Sequence, residues 1–369
     1  HMKKPIDKNS KAYKRYKRRK RFFVIEILVL LCLMVYAAYY VVIQKKLNSI
    51  QIMDITPEEV VINEEVQTDP VMQGDTYTNI ALFGLDSRHG ELSSGNSDTM
   101  IIASINNETK EVKLASVYRD SYLELGNGSY GKSNSAYAIG GPQQAVAMLN
   151  ANLDLNITEY ISVDMRALVT IINDLGGIEL TVTDEEAGYL NDYCVETTEI
   201  YDGTTYDRAN DLPGGGTYLM NGIQAVAYTR IRYTAGNDFK RTGRQREVIG
   251  LIVDKAKSAG ITTLNKIADE VFDMILTSYS PTELVSLGMK LINYNMGETT
   301  GFPFAHETDQ STYNEVPVTL ESNVIQLHEF LFGTTDYTPS AAVQERSYTI
   351  MNNTGFTDPA AASTENYGS

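Results

Sequence analysis

The sequence predicts an α/β layered domain with a mostly buried sheet, preceded by one membrane-spanning helix. Short β-branched runs alternate with longer helical patterns. One apolar stretch is long enough to cross a bilayer. Charge divides sharply on either side of that stretch.

His1-Met2 reads as a cloning scar. Residues 1–21 hold eleven Lys/Arg against Asp7, a net of +10; the whole chain is −16, so residues 22–369 carry −26. The run "FFVIEILVLLCLMVYAAYYVVI", Phe22 to Ile43, has 22 residues and the single charge Glu26. A helix needs about 20 apolar residues to span the hydrocarbon core. A cleaved signal peptide has a shorter core and a small-x-small site, whereas Ala37-Ala38 lies inside this run between Tyr36 and Tyr39. The run therefore reads as an uncleaved anchor. The flank "KRYKRRKR" (Lys14–Arg21) outweighs Lys45 and Lys46, which keeps residues 1–21 in the cytoplasm and places everything beyond about residue 47 outside. Topology explains the basic tail without a nucleic-acid partner.

Composition divides the remainder. Residues 44–75 are polar, acidic and broken by prolines, and read as a stalk with room for a short helix. Residues 334–369, rich in Thr, Ser, Ala, Asn and Gly, read as a flexible tail. That leaves 76–333 as the folded domain. The chain has two cysteines, Cys32 in the apolar run and Cys194 alone in the domain, so no intramolecular disulfide or Cys-based metal site arises there. Cys194 is expected as a buried small apolar residue.

Within the domain, "NIALFGL" (Asn79–Leu85), "TMIIASIN" (Thr99–Asn106) and "EVKLASVY" (Glu111–Tyr118) are β-branched runs bounded by turn residues, hence strands. "GPQQAVAMLNANL" opens on Gly-Pro and runs as a helix. "EYISVDM" is a strand, "RALVTIINDLG" a helix ending on Gly176, and "GIELTVT" a strand. "NGIQAVAYTRIRY" starts helical and ends extended. Helices follow over Gly243–Gly260, Thr263–Ser278 and Pro281–Tyr294. A last strand, "EVPVTL", precedes the helix "ESNVIQLHEFLFG".

"GNGSYGKS", Gly126–Ser133, matches the phosphate-loop pattern G-x-x-x-x-G-K-[ST]. Its context argues against that reading. Such a loop feeds a long helix, but Gly140-Gly141-Pro142 breaks any helix after about two turns. The segment also follows three strands and lies on the side of the membrane where ATP is scarce. Its glycines are expected in a turn, and no ATP site is expected.

Beyond residue 47 there are 18 Lys/Arg against 45 Asp/Glu, and six of the 18 fall in "RIRYTAGNDFKRTGRQR": Arg230, Arg232, Lys240, Arg241, Arg244 and Arg246. An acidic domain that gathers arginine in this way is built to hold an anion, since the planar, permanently charged guanidinium suits phosphate. Arg246 and Lys240 read as solvated helix-surface residues. Alternation would put Arg230 and Arg232 on one face of a strand. Acidic and basic residues sit at strand ends: Asp86 and Arg88 after the first, Asp98 before the second, Arg119-Asp120 after the third. Ligands of open α/β sheets bind outside the carboxyl ends of strands. Magnesium takes one or two carboxylates and lets substrate phosphates complete its shell, so Asp86 and Asp98 could supply its ligands, with Arg88, Arg119 and Arg232 neutralising the remaining phosphate charge.

In order, "NIALFGLDSR", "NSDTMIIASIN", "VKLASVYRDSYLEL", "GKSNSAYAIGG", "LVTIINDLGGIELTV", "MNGIQAVAYTRIR" and "DFKRTGRQREVI" resemble the LytR-CpsA-Psr family of bacterial cell-wall proteins over roughly residues 78–255. The resemblance implies a central mixed sheet between helices with an apolar tunnel for a lipid. It implies an Mg²⁺-dependent phosphotransferase that moves a glycopolymer, either teichoic acid or capsular or wall polysaccharide, from a polyprenyl pyrophosphate carrier to peptidoglycan. The setting would be the outer face of the membrane of a Gram-positive-type bacterium. It implies Asp86 and Asp98 on the metal, with Arg88, Arg119, Lys132, Arg230, Arg232, Arg241, Arg244 and Gln245 around the pyrophosphate. Asp238 supports that cluster, and Asp98, Arg119, Arg232 and Asp238 are the expected catalytic set. Three positions depart from the family pattern: Tyr118 for a proline, Ser135 for a histidine and Lys240 for a glycine. A non-catalytic lipid-pyrophosphate binder or regulatory protein, and a lipid pyrophosphatase, remain as alternatives. "EVIGLIVDKA" and "ADEVFDMILTSY" are apolar enough to line the tunnel, or simply to pack the core.

Overall fold

Period-two alternation decides where the core lies. In β2 (Tyr77–Leu85), β3 (Ser97–Asn106) and β4 (Glu111–Val117), residues Ala81, Phe83, Met100, Ile102, Ala115 and Val117 serve one core. Ile80, Ile101, Ala103, Ile105, Val112 and Leu114 serve another, because successive side chains leave a strand on opposite faces. A sheet apolar on both faces needs helices on both. The computed structural model describes residues 49–56, 59–85, 91–233 and 237–364, with the backbone alone at 237 and 238. The expected anchor, Phe22–Ile43, and the basic tail lie outside these residues. Among the described residues no helix is long and apolar enough to cross a membrane.

The seven-stranded sheet runs β1 (Gln51–Ile52), β10 (Ile275–Thr277), β7 (Glu159–Asp164), β2, β3, β4, β11 (Asn295–Phe302). β1 and β10, β7 and β2, and β4 and β11 are parallel pairs. The other three junctions are antiparallel, so the sheet is mixed, as expected. One face is covered by α2 (Ser135–Leu153), α9 (Leu320–Phe332) and α10 (Ala341–Thr354) through Val146, Leu149, Leu153, Leu327, Val343 and Ile350. α2 is interrupted at Gly140 and Gly141, the latter at φ 67°, just before Pro142. The other face has a thinner cover. Ile249 of α6 (Asn237–Lys257) and Leu287 and Leu291 of α8 (Pro281–Leu291) are only partly buried against it.

A third core joins α3 (Met165–Asp174), α4 (Asp184–Asp202), α5 (Gly222–Arg230) and the hairpin β8–β9 (Ile178–Val182, Gly216–Met220). Cys194 sits in it, fully buried and free, and burial pushes its thiol up to about 12. It behaves as the small apolar residue expected.

Three expectations are corrected. The segment read as a stalk belongs to the domain from residue 50 onward: β1 joins the sheet, and Val60, Val66 and Met72 enter the core. Asn63 bonds the Asp154 carboxylate at 2.6 Å. The segment read as a tail holds α10, with Val343 and Ile350 buried, and Ser363 pairs with His306. Both segments are polar on average, yet a few apolar residues at the right spacing are enough to dock them. The helix expected over Thr263–Ser278 stops at Val271 as α7 (Ile261–Val271), and Ile275–Thr277 becomes β10 because β7 offers an open edge. In addition, α4, β9 and β11 fill stretches where the sequence shows no strong period.

Candidate functional site

β2 and β7 run parallel and end together at Leu85 and Asp164. Beyond that end lies a cavity of about 390 Å³. Its polar lining includes Asp98, Arg119, Arg230, Arg232, Arg241 and Gln245. Leu85, Met165, Leu168 and Val226 supply apolar lining.

Asp98 reaches the cavity through a β-bulge. Gly84 pairs with Thr99 and Leu85 with Ser97, which leaves Asp98 as the extra residue of β3. A bulge re-aims the side chain it carries. The Asp98 carboxylate accepts from Arg119 Nη1 at 3.0 Å and from Arg232 Nη2 at 3.4 Å. Its backbone carbonyl accepts from Arg241, whose side chain is almost fully buried.

Arg119 stands at a corner held by the "GNGSYGKS" segment. Gly126 and Gly128, at φ 78° and 84°, lie in the turn between β5 (Tyr122–Glu124) and β6 (Tyr130–Lys132). The buried Ser133 hydroxyl donates to the Tyr118 carbonyl at 2.9 Å, and the Asn134 N–H donates to the Arg119 carbonyl at 3.1 Å. Lys132 lies in a strand and bonds Asp120 Oδ1 at 2.7 Å. It is not among the residues lining the cavity. The segment is a hairpin and a corner brace, without the strand–loop–helix geometry of a phosphate loop. Tyr118, at the family's usual proline, is buried with its ring 4.6 Å from that of Phe239. Gly301 makes room for it, since a Cβ there would collide with the Tyr118 hydroxyl.

Arg230 and Arg232 both line the cavity, but not from a strand. Arg230 ends α5 and Arg232 follows one extended residue, Ile231. Arg230 is paired with Glu196 at 3.1 Å, donates to Thr197 Oγ1 at 3.1 Å and lies 5.5 Å over the Tyr193 ring. Arg244 is not in the cavity lining. It turns to Glu186 at 2.8 Å and to the Ile231 carbonyl at 3.1 Å. Glu186 is also the capping-box residue of α4, bonded to the Thr183 N–H at 3.0 Å. Burial pushes its carboxyl up, but the Thr183 N–H, Arg244 and Lys240 outweigh burial and hold it below the usual range.

Arg246, expected in solvent, is instead 1% exposed, and burial lowers its guanidinium to about 10. Lys240 is partly exposed, as expected. Asp86 and Arg88 lie outside the described residues, and so does the side chain of Asp238, whose backbone is in the first turn of α6. Sequence reasoning missed Tyr193, Glu196 and Thr229 in the lining. The signal for the first two was the Thr183-x-x-Glu186 capping box with Gly203 closing the same helix.

The acid in this lining fits a divalent cation held partly by substrate. Asp164 is committed to the Ala167 N–H at 2.9 Å and to Arg166 at 2.7 Å, and Glu196 is paired with Arg230. Each oxygen of Asp98 keeps a lone pair beyond its arginine bond. Among the described residues no cluster of three or more His, Cys, Asp or Glu forms a cage. Hard oxygen chemistry with few protein ligands is what magnesium accepts beside phosphate.

An α/β domain with three arginines bonded to one bulged aspartate, and a fourth lining the same cavity beside an apolar wall, has the chemistry that suits a phosphate group with an apolar substituent. The LytR_cpsA_psr family model matches residues 39–323, and the chain belongs to that family. It is 32% identical over 212 residues to the polyisoprenyl-teichoic acid–peptidoglycan teichoic acid transferase TagU of Bacillus licheniformis, covering 56% of this chain and 61% of that protein. To the TagU of Enterococcus faecalis it is 30% identical over 241 residues, covering 64% and 72%. The fold is similar to that of the LytR-CPS2A-psr family protein YwtF (TagT) with bound octaprenyl pyrophosphate lipid, at a TM-score of 0.52, 20% identity and 82% and 99% coverage.

Proposed function

We propose that this protein is an Mg²⁺-dependent phosphotransferase on the outer face of the cell membrane. It moves a glycopolymer from a polyprenyl pyrophosphate carrier to peptidoglycan and releases polyprenyl phosphate. The observation that carries this reading is one cavity that gathers Arg119, Arg232 and Arg241, all bonded to Asp98, with Arg230 beside the apolar wall of Leu85, Met165, Leu168 and Val226. The names of the relatives point the same way. An anchor over Phe22–Ile43 would hold the domain where the carrier lipid lies, and the apolar wall beside the arginines would receive the lipid end of the carrier.

In this mechanism the arginines bind the pyrophosphate and spread the charge of its oxygens as the transition state forms, the main task in phosphoryl transfer. Arg119 and Arg232 are held by Asp98, and Arg230 by Glu196 and Thr197. Mg²⁺ on Asp98 and Asp86, when bound, would supply further charge neutralisation at the phosphate oxygens. An acceptor sugar hydroxyl attacks the phosphorus nearest the glycan. The new O–P bond forms as the bond to polyprenyl phosphate breaks, and the hydroxyl proton passes toward Asp98 or Asp238. Because the substrate carries its own activation, no nucleotide is required.

The test is release of polyprenyl phosphate from a synthetic lipid-linked glycan, with and without glycan acceptor and with and without Mg²⁺. Acceptor-dependent and metal-dependent release is expected. Release that ignores the acceptor would make the protein a pyrophosphatase, and binding without release a non-catalytic receptor.

A further inference from the structure

Three tyrosines lead from the cavity to solvent, and the mechanism above uses none of them. Tyr193 of α4 lines the cavity and carries Arg230 over its ring at 5.5 Å. Tyr189 lies one turn earlier on the same helix face. Its ring centroid is 5.9 Å from that of Tyr233, tilted by 38°. Tyr233 directly follows Arg232 and is 69% exposed. An aromatic side chain so exposed lacks a packing partner on most of its surface. Here it stands one residue from a cavity arginine.

We propose that Tyr189, Tyr193 and Tyr233 form a sugar-stacking subsite for the first pyranose of the donor, the one bonded to the pyrophosphate. This rests on the proposed function and deepens it. The axial C–H groups of a pyranose are apolar and slightly positive, and they stack on the negative face of an aromatic ring, while the phenol hydroxyl remains available to the sugar's own hydroxyls. Tyr supplies that surface with few rotatable bonds to immobilise. The subsite also orients the donor. The lipid end finds apolar lining at Leu85, Met165, Leu168 and Val226, the pyrophosphate lies among the arginines, and the sugar leaves along the tyrosines. A ligand bound the other way would put a hydrated sugar on the apolar wall and strand the prenyl chain in solvent.

The experiment compares Kd values for octaprenyl pyrophosphate and for octaprenyl pyrophosphate carrying one hexose, using the full chain in detergent. The readout is the ratio of the two. Wild type should bind the sugar-bearing lipid more tightly by about tenfold, a difference of about 1.4 kcal/mol. In Y189A/Y233A the ratio should collapse to within about twofold. In Y189F/Y233F, which keeps the rings, most of the preference should survive. A wild-type ratio near one overturns the subsite alone, as does a preference that survives in the alanine pair. Binding of neither lipid by wild type overturns the proposed function and the subsite with it. Thermal melts of each variant establish that the fold is intact.

Discussion

Arg244 donates to the Ile231 carbonyl at 3.1 Å, and Ile231 is the residue between Arg230 and Arg232. A buried guanidinium outside the cavity lining thus fixes the peptide from which two lining arginines project. Its other end holds Glu186, which caps α4, the helix that supplies Tyr193 and Glu196 to the same lining. Arg244→Ala leaves a buried carboxylate without its main partner, which costs about 3–5 kcal/mol. Urea denaturation should show that loss. Affinity of the folded fraction for octaprenyl pyrophosphate should fall with it, although Arg244 does not line the cavity.

Asp98, Arg119 and Arg232 form one bonded unit, so their losses should not add. Arg232→Ala and Asp98→Ala should each slow transfer by about 10²–10³. The double variant Asp98→Ala/Arg119→Ala should be little slower than the worse of its singles, because each change already dissolves the unit. Normal transfer by any single variant would remove that residue from the site.

His328 makes stability depend on pH. It is buried, donates its Nε2–H to the Leu153 carbonyl at 2.9 Å, and stacks on Tyr337 at 3.6 Å. Burial lowers its pKa below the ordinary 6.5. The folded state therefore takes up its proton less readily than the unfolded state. Its contribution is complete above about pH 6.5 and is lost as pH falls through the region below that value. His328→Gln should flatten the decline in urea midpoint between about pH 6.5 and 5; an unchanged slope would exclude His328 as its source.

Two glycines should respond oppositely to alanine. A Cβ on Gly222 would collide with the Val169 carbonyl, where α5 meets α3. Backbone cannot swing aside, so Gly222→Ala should cost about 1–3 kcal/mol. Gly188 lies inside α4 with nothing within 4 Å of a Cβ, and Gly188→Ala should gain about 0.5–1 kcal/mol from helix propensity and a less flexible unfolded chain. Melting temperatures of the pair would decide both.

Much of this site is legible in the residues. Period-two runs identify β2, β3, β4 and β7. The helix-breaking Gly140-Gly141-Pro142 argues against the phosphate loop. The concentration of arginine after residue 229 points to one place in the fold, and Arg230, Arg232, Arg241 and Gln245 all line the cavity there. The hidden parts depend on partners distant in the chain. Segment 50–75 reads as a stalk until Val60, Val66 and Met72 meet the core residues of α2 and α9. β10 reads as helix until β7 presents its edge.

By itself the sequence determined the strongly periodic strands and helices, such as β2, β3, β4, β7 and α2, where positive charge collects in an acidic domain, and that Asp98 and Arg119 stand at strand ends. Those properties are local: side-chain period and residue type are written in neighbouring positions. Only the tertiary structure decided that Asp98 is a bulge residue, that Arg241 lines the cavity while Arg244 braces it from outside that lining, that Arg246 is buried and that Lys132 pairs with Asp120. On one helix, residues three positions apart differ by about 60° in direction. Which direction meets a cavity, a carboxylate or solvent is set by the elements packed around that helix.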